Sequence, residues 1–588
     1  MRNIINYNNG IAKIFSLLLI ILIITSCGNV LDDVEDLSNY PGQGTFNDEE
    51  TSKAYLASLY RQALPAWPVD QGNWSDENGT IIGPDWITTD NGTMKYWPYV
   101  EIRRINILLK EVPEGTMAED KKAPIIAQAQ FLRAYHYFKM VYYHGGVPII
   151  KVPQELTDDL EVPRNSTAEC FDFIIEDLDA AIAALPDKYS GSDYGRVDKA
   201  GAMSFKGRVL LYKASPQFNS SNPYGNQYWA DAYTSNKAAI DFLDSHGYGL
   251  LENYVNVFET EEHKENILSV VFKDPIRSDG RGEMGIRPLS ETKNATGSDQ
   301  PGWALAAAYP MKDGKMPGDA SSAYTYDLQT YWKDRDPRFA ANLVWNGAIY
   351  ELSGKSGRRQ YTMVNVATPD DAFGYFVQGA IFYRTGLYTR KGINEANPSE
   401  LVSTNDYDWP EIRYTEVLFN YAEAANETGK SPEAIQVLKD IRERAGIEAG
   451  TDGMFGLKSG MTREEVREAI LHEKFIEMAF EGKRFWDLRR HRILNRLNGM
   501  RKYGIMVMEL NGKTYDQITA DDKSKAGLYQ LLPEEFTSEV VELIAGSGPT
   551  QMSMPETYYF FPISLSDIDR NPKLVQNTGW GGSFNPEL

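Results

Sequence analysis

Two amphipathic helices set back to back constrain this chain most. Arg413–Gly429 carries Tyr421, Ala424 and Ala425 on one face, and Ser431–Ala445 answers with Ala434, Val437 and Ile441. A helix with one apolar stripe must bury it against a partner, and small alanines let the two backbones approach. Paired helices of this length, at about 34 residues per pair, are the tetratricopeptide signature.

The same periodicity recurs earlier. Val100–Val112 and Ile125–Tyr143 read as helices, and in the second Phe131, Tyr135, Phe138 and Tyr142 form a core stripe. Gly145-Gly146-Val147-Pro148 stops that helix, Ser166 or Thr167 caps the next through Ala184, and Lys199–Ala214 makes another. The first mature helix is expected to start at Asn47, with Glu50 as its capping-box partner. From residue 265 to 405 the pattern breaks into Gly, Asp, Pro, Ser and aromatics, and Ile267-Leu268-Ser269-Val270-Val271-Phe272 looks like a strand. Helices resume at Glu411 and run with breaks to Leu497; the last 90 residues are loop-rich. The expected fold is mainly α: a tetratricopeptide-like helix-pair body with loop-rich inserts and a few short strands. Residues 47–588 read as one domain, with the helical body at 47–260 and 406–500, the insert at 265–405 and a loop-rich segment at 500–588.

The N-terminus reads as an address. Arg2 and Lys13 precede an apolar run from Ile14 to Ile24. That run suits a signal peptide and falls short of the ~20 residues a membrane span needs. It ends in Ile24-Thr25-Ser26-Cys27, an aliphatic residue and two small ones before a cysteine, the pattern of a lipobox. Residues 1–26 are therefore expected to be removed and Cys27 to carry lipid. Asp32, Asp33, Glu35 and Asp36 make residues 27–46 an acidic, solvated tether; its resemblance to a lipoprotein export signal implies the outer face of the outer membrane.

Charge and cysteines narrow the function classes. A net charge of −22 repels phosphate backbones, so nucleic acid is not an expected partner. Besides Cys27 there is only Cys170, which reads as a small buried hydrophobe. No phosphate-binding loop, zinc-protease helix, paired Cys-x-x-Cys or serine elbow occurs. His136, His144, His246, His263, His472 and His491 lack ligand spacing, so no cofactor is expected. Asp-rich loops such as Asp334–Asp336 leave calcium open, although no loop has the spacing of a calcium-binding hand.

Four segments resemble the SusD/RagB family of surface glycan-binding lipoproteins. They are Arg133–Phe138 through His144–Pro148, Arg413–Glu427 with Tyr421-Ala422-Glu423-Ala424-Ala425-Asn426-Glu427, and Glu473–Arg490 with Phe485-Trp486-Asp487-Leu488-Arg489-Arg490. The fourth is the tail Phe561-Pro562-Ile563, Asn571-Pro572 and Gln576–Trp580. Lys483 and Gly145-Gly146 depart from the commoner family residues. The resemblance implies a helix-pair body with ligand loops. It also implies capture of oligo- or polysaccharide at the cell surface, without catalysis, and delivery to a SusC-like, TonB-dependent transporter. A surface glycoside hydrolase or lyase, or a protein-binding adhesin, are the alternatives.

Sugar rings stack on exposed aromatics flanked by polar groups. Two loop regions offer them. Pro65–Lys95 holds Trp67, Trp74 and Trp86; the insert holds Trp303, Tyr309 and Trp332, with Arg281 nearby. Trp86 and Trp303 are the first choices, while Trp486, in a family-like helical segment, is expected in the core.

Overall fold

The computed structural model describes residues 43–588 except 92–93, 293–295, 364–375, 378–379, 382–384, 515–516, 519–534 and 544–547. The expected signal peptide, Cys27 and the expected tether up to residue 42 lie outside the described residues. The fold is mainly α, as the periodicity requires.

The body begins with α1 (Glu49–Ala63), α2 (Tyr99–Glu114), α3 (Glu119–His144), α4 (Thr167–Ala184) and α5 (Lys199–Ala214). The cap of α1 is Asp48, whose carboxylate accepts from the Thr51 N–H at 2.9 Å. Asn47, the expected cap, instead accepts from the Thr116 N–H and ties α1 to the end of α2. Ser166 caps α4 in a full capping box with Glu169. Helix α3 packs on α1, α2 and α4, which is why its aromatic stripe widens into a nearly continuous buried surface. It stops at Gly145, whose φ of 80° suits glycine, and a Cβ on Gly146 would sit 2.1 Å from the Asn165 carbonyl. Cys170 is fully buried and Trp486 packs on Tyr142 and Tyr143, both as expected.

One helix went unnamed in the sequence. α6 (Tyr228–Ser245) buries Trp229, Ala232, Asn236, Ala239 and Leu243, a clean helical spacing interrupted by a polar residue. Asn236 is accommodated because α5 has Gly207 opposite, whose carbonyl accepts its amide N–H at 3.1 Å. A Cβ at Gly207 would lie 2.2 Å from the Asn236 side chain.

The strand expected after residue 265 exists as β1 (Asn266–Val270). It pairs antiparallel with β2 (Trp409–Arg413), so Glu411 lies within a strand and the helix starts only at Tyr414. Pro410 biases Trp409 toward extended backbone and β-branched Ile412 extends it. The helix pair follows as α9 (Tyr414–Glu427) and α10 (Ser431–Arg444), after the six-residue insert helices α7 (Trp303–Ala308) and α8 (Pro337–Asn342). α11 (Arg463–Glu477) and α12 (Arg484–Arg490) close the helical part. The tail, read as loop, contains β3 (Tyr503–Glu509) paired in regular antiparallel register with β4 (Phe536–Glu542).

Two apolar cores matter for function. The larger fills the helical body. The smaller lies under the insert, where Leu305, Tyr309, Tyr331 and Phe339 meet Phe475 and Ile476 of α11. Between them runs a buried ionic frame. Glu473, Glu477 and Glu481 follow one another at four-residue spacing and receive Arg338, Arg413, Arg442, Arg444 and Lys391. The carboxylates of Glu477 and Glu473 are 0% exposed. Charges this deep persist only when paired.

Candidate functional site

A terrace of half-buried aromatic rings covers the smaller core: Trp303, Tyr326, Trp332 and Trp345. Each ring is set by local backbone chemistry. Trp303 opens α7 directly after Gly302, whose N–H donates to the Glu77 carbonyl at 2.6 Å. The first loop thereby holds the start of α7. Trp332 follows a tight turn capped by Asp327, and Gln329 in that turn both donates to and accepts from the Ser538 backbone of β4. Trp345 follows the strand Leu343–Val344, which pairs with Tyr388–Thr389.

The rings support one another. Tyr331, fully buried, makes edge contacts with Trp303 at 5.4 Å and with Trp332 at 5.1 Å. Trp332 and Trp345 lie nearly parallel, 6.4 Å apart at 12°. Below them Arg335 spends its guanidinium on the carbonyls of Tyr331, Ala306 and Tyr309. Burial pushes its pKa down to about 10, still leaving it cationic at neutral pH. Arg335 therefore orders the loops beneath the rings and has no donor aimed outward in this arrangement. Half-buried rings supported from behind suit the apolar faces of sugars.

The sequence candidates divide. Trp303 and Trp332 come together here; Trp345 and Tyr326 join them unannounced. Tyr309 is fully buried, its hydroxyl accepting from Asn342 at 2.8 Å, so it cannot meet a ligand. Trp67 is 5% exposed, donates to the Tyr407 carbonyl and packs 5.1 Å from Trp409. Arg281 is 1% exposed and paired with Asp299 at 2.6 Å, its guanidinium over the Trp67 ring. These three are internal braces. Trp74 and Trp86 are half-buried but packed: Trp74 lies 5.7 Å from Trp86 and 5.9 Å from Phe485, and Trp86 lies 5.8 Å from Tyr558. They wedge the first loop against α12 and the tail, apart from the terrace. Arg281, Trp67 and Tyr309 fail as candidates for one reason: loop composition does not reveal which ring faces inward.

Three carboxyls have pKa values raised to about 7, each chiefly by burial: Glu77, Glu283 and Asp408. A raised carboxyl is what a glycosidase acid needs. All three are sealed, at 1%, 0% and 6% exposure. Glu77 accepts from the Phe480 N–H, Glu283 is paired with Arg287 and Asp408 accepts from the Phe272 N–H. None can reach a polysaccharide in this arrangement. Among the described residues no helix is long and apolar enough to cross a membrane.

Comparison with known proteins gives a consistent picture. The model of the SusD family matches residues 264–580, and a second, described as starch-binding and associating with the outer membrane, matches residues 31–211. SusD-like protein P2 of Formosa agariphila is 26% identical over 423 residues, covering 70% of this chain and 74% of that protein. A SusD-like protein of Bacteroides fragilis has a solved structure with a TM-score of 0.70 at 24% identity, covering 91% of this chain and 98% of its own. A second from that organism, named a SusD-like carbohydrate-binding protein, also superposes at 0.70, with 23% identity over 90% of this chain and 99% of its own. At these identities the two structures speak for the fold alone.

Proposed function

This chain belongs to the SusD family, and on that premise we propose that it is a cell-surface lipoprotein that binds oligo- or polysaccharide and delivers it to a SusC-like, TonB-dependent transporter. The observation that carries the reading is the terrace. Trp303, Tyr326, Trp332 and Trp345 form a row of half-buried rings on a firmly braced base. Ring faces of this kind recognise sugars by stacking, and the neighbouring loops supply edge hydrogen bonds.

The rest of the reading follows from the chain's ends and charge. Cys27 is the lipid attachment point, and the acidic stretch after it is a tether to the outer leaflet. A tethered body stays near its transporter at high effective concentration even when the two part. The protein works by binding; neither catalysis nor a metal is part of the mechanism. The three acids whose pKa is raised to about 7, Glu77, Glu283 and Asp408, are buried and bonded within the fold.

Calorimetry of the full chain against a panel of neutral and acidic polysaccharides tests the proposal. At least one glycan should bind the wild type and bind the Trp332→Ala variant more weakly. Release of reducing ends during incubation would replace the binder with a hydrolase. A blank panel beside tight binding to a host protein would favour an adhesin.

A further inference from the structure

A groove of about 510 Å³ opens beside the C-terminal turn of α1 and shares no residue with the terrace. Its volume lies within the ~300–1,000 Å³ of small-ligand sites. Its lining is anomalous for this chain. The protein has 82 acidic and 60 basic residues, yet the groove is lined by Arg61, Arg196, Lys273 and Arg277 with no Asp or Glu.

These cations are not equally occupied. Arg196 is paired with Asp193 at 2.9 Å, and Lys273 lies 3.7 Å from Asp406. Arg61 and Arg277 have no ion pair among the described residues. They are close enough that the charge of Arg61 bears on Arg277, whose guanidinium rests over the Phe272 ring at 4.3 Å. Neither guanidinium is met by an ion pair of its own among the described residues, although a −22 chain has ample acids to supply one. Arg277 is also positioned. It closes a tight loop with Lys273 through backbone bonds of 2.7 and 2.8 Å in each direction. That loop raises Ile276, 88% exposed, beside Val271, 39% exposed, at the rim of the groove.

We propose that this groove is a second binding site, for an acidic oligosaccharide whose carboxylate or sulfate groups pair with Arg61 and Arg277 while its C–H faces lie on Val271 and Ile276. Guanidinium forks match both anions in geometry. The apolar rim distinguishes an acidic sugar from a bare inorganic anion, which would gain nothing from Ile276. This inference rests on the glycan-binding reading and narrows it: the glycan, or a branch of it, bears negative charge.

The test uses the full chain and three probes: an oligogalacturonate, a sulfated galactan oligomer and an uncharged oligosaccharide of similar length. The wild type should bind one acidic probe, more weakly at about 0.5 M than at about 0.05 M salt. The double variant Arg61→Ala, Arg277→Ala should bind that probe at least ~10-fold more weakly with an unchanged melting temperature. Ile276→Glu, which leaves both arginines in place, should weaken it as well. Which acidic probe binds separates carboxylate from sulfate. Equal binding by wild type and double variant overturns the inference. So does a wild type that binds only uncharged glycans, and then the glycan-binding reading stands without it. A wild type that binds no glycan at all sinks both.

Discussion

Arg413 grips Glu481 through two parallel N–H···O bonds of 2.9 and 2.8 Å, with both side chains essentially without solvent exposure. Arg413 ends the strand before the helix pair and Glu481 lies just beyond α11. One ion pair therefore joins two of the four segments that carry the family resemblance. Glu423 and Arg490 join the same two segments again. Asn577, from the tail, donates to the His144 carbonyl at the end of the first. The motifs are joints of the frame.

Removing one partner from such a pair leaves a buried charge uncompensated. Glu481→Ala should lower stability by about 3–5 kcal/mol, because it strands Lys391 as well as one face of Arg413. Urea unfolding measures it, and a loss below ~1 kcal/mol would show that the frame is dispensable.

The pH dependence follows from opposing groups. The arginines around Glu477 hold its pKa down to about 2, against an ordinary 4.5, and burial holds His136 and His144 down to about 3. These depressed groups lend stability that is lost as pH falls, from about 6.5 for the histidines and from about 4.5 for Glu477. Glu77, Glu283 and Asp408, raised to about 7, act oppositely: the folded state takes up their protons first, so stability rises as pH falls from about 7 toward the ordinary carboxyl range. The melting temperature should therefore change little between about 7 and 4.5 and drop steeply below about 4.5. Glu477→Gln should flatten the acid limb. A steady decline beginning at neutral pH would contradict the balance.

Two tryptophans in loops should behave differently. Trp332→Ala should cost at least ~1 kcal/mol of glycan affinity. Trp67→Ala should cost about 3–5 kcal/mol of stability, as buried aromatics do. If the Trp67 variant melts like wild type, its burial against Trp409 has been misjudged.

Trp86→Ala tests the role of the first loop. Its ring wedges against Phe485 and Tyr558, so the variant should show faster proteolytic nicking between residues 65 and 95. Its glycan affinity should match wild type; a selective loss of affinity with normal protease resistance would return Trp86 to the ligand surface.

Cys27→Ala should release the protein from membranes with glycan binding intact. Fractionation decides it: a variant still in the membrane pellet would remove the lipid anchor from the mechanism.

Much of the body was legible because helices advertise themselves. α4 and α5 match their expected ends, since Ser166 and Asp198 are strong caps at the start of regular apolar rows. The first cap was misplaced by one residue because Asn47 and Asp48 are equally good caps locally, and a bond to Thr116 takes Asn47 away. The frame was written as three carboxylates at four-residue spacing, an arrangement that repels itself unless cations come from elsewhere; those cations stand as far away as Arg338. The terrace was half legible. Trp345 hides in the apolar run Leu343-Val344-Trp345, which reads as strand interior. Trp67 and Trp332 look alike in sequence, and only the tertiary packing separates brace from platform.

The ionic frame directs its charges inward and sits behind the terrace, with Arg338 of α8 as a clasp between insert and body. The proposed recognition surface can consequently be treated as a replaceable cassette. Residues near 303–345 transplanted from a relative with a different diet should keep their footing if Arg338 is retained, and change the menu without rebuilding the host.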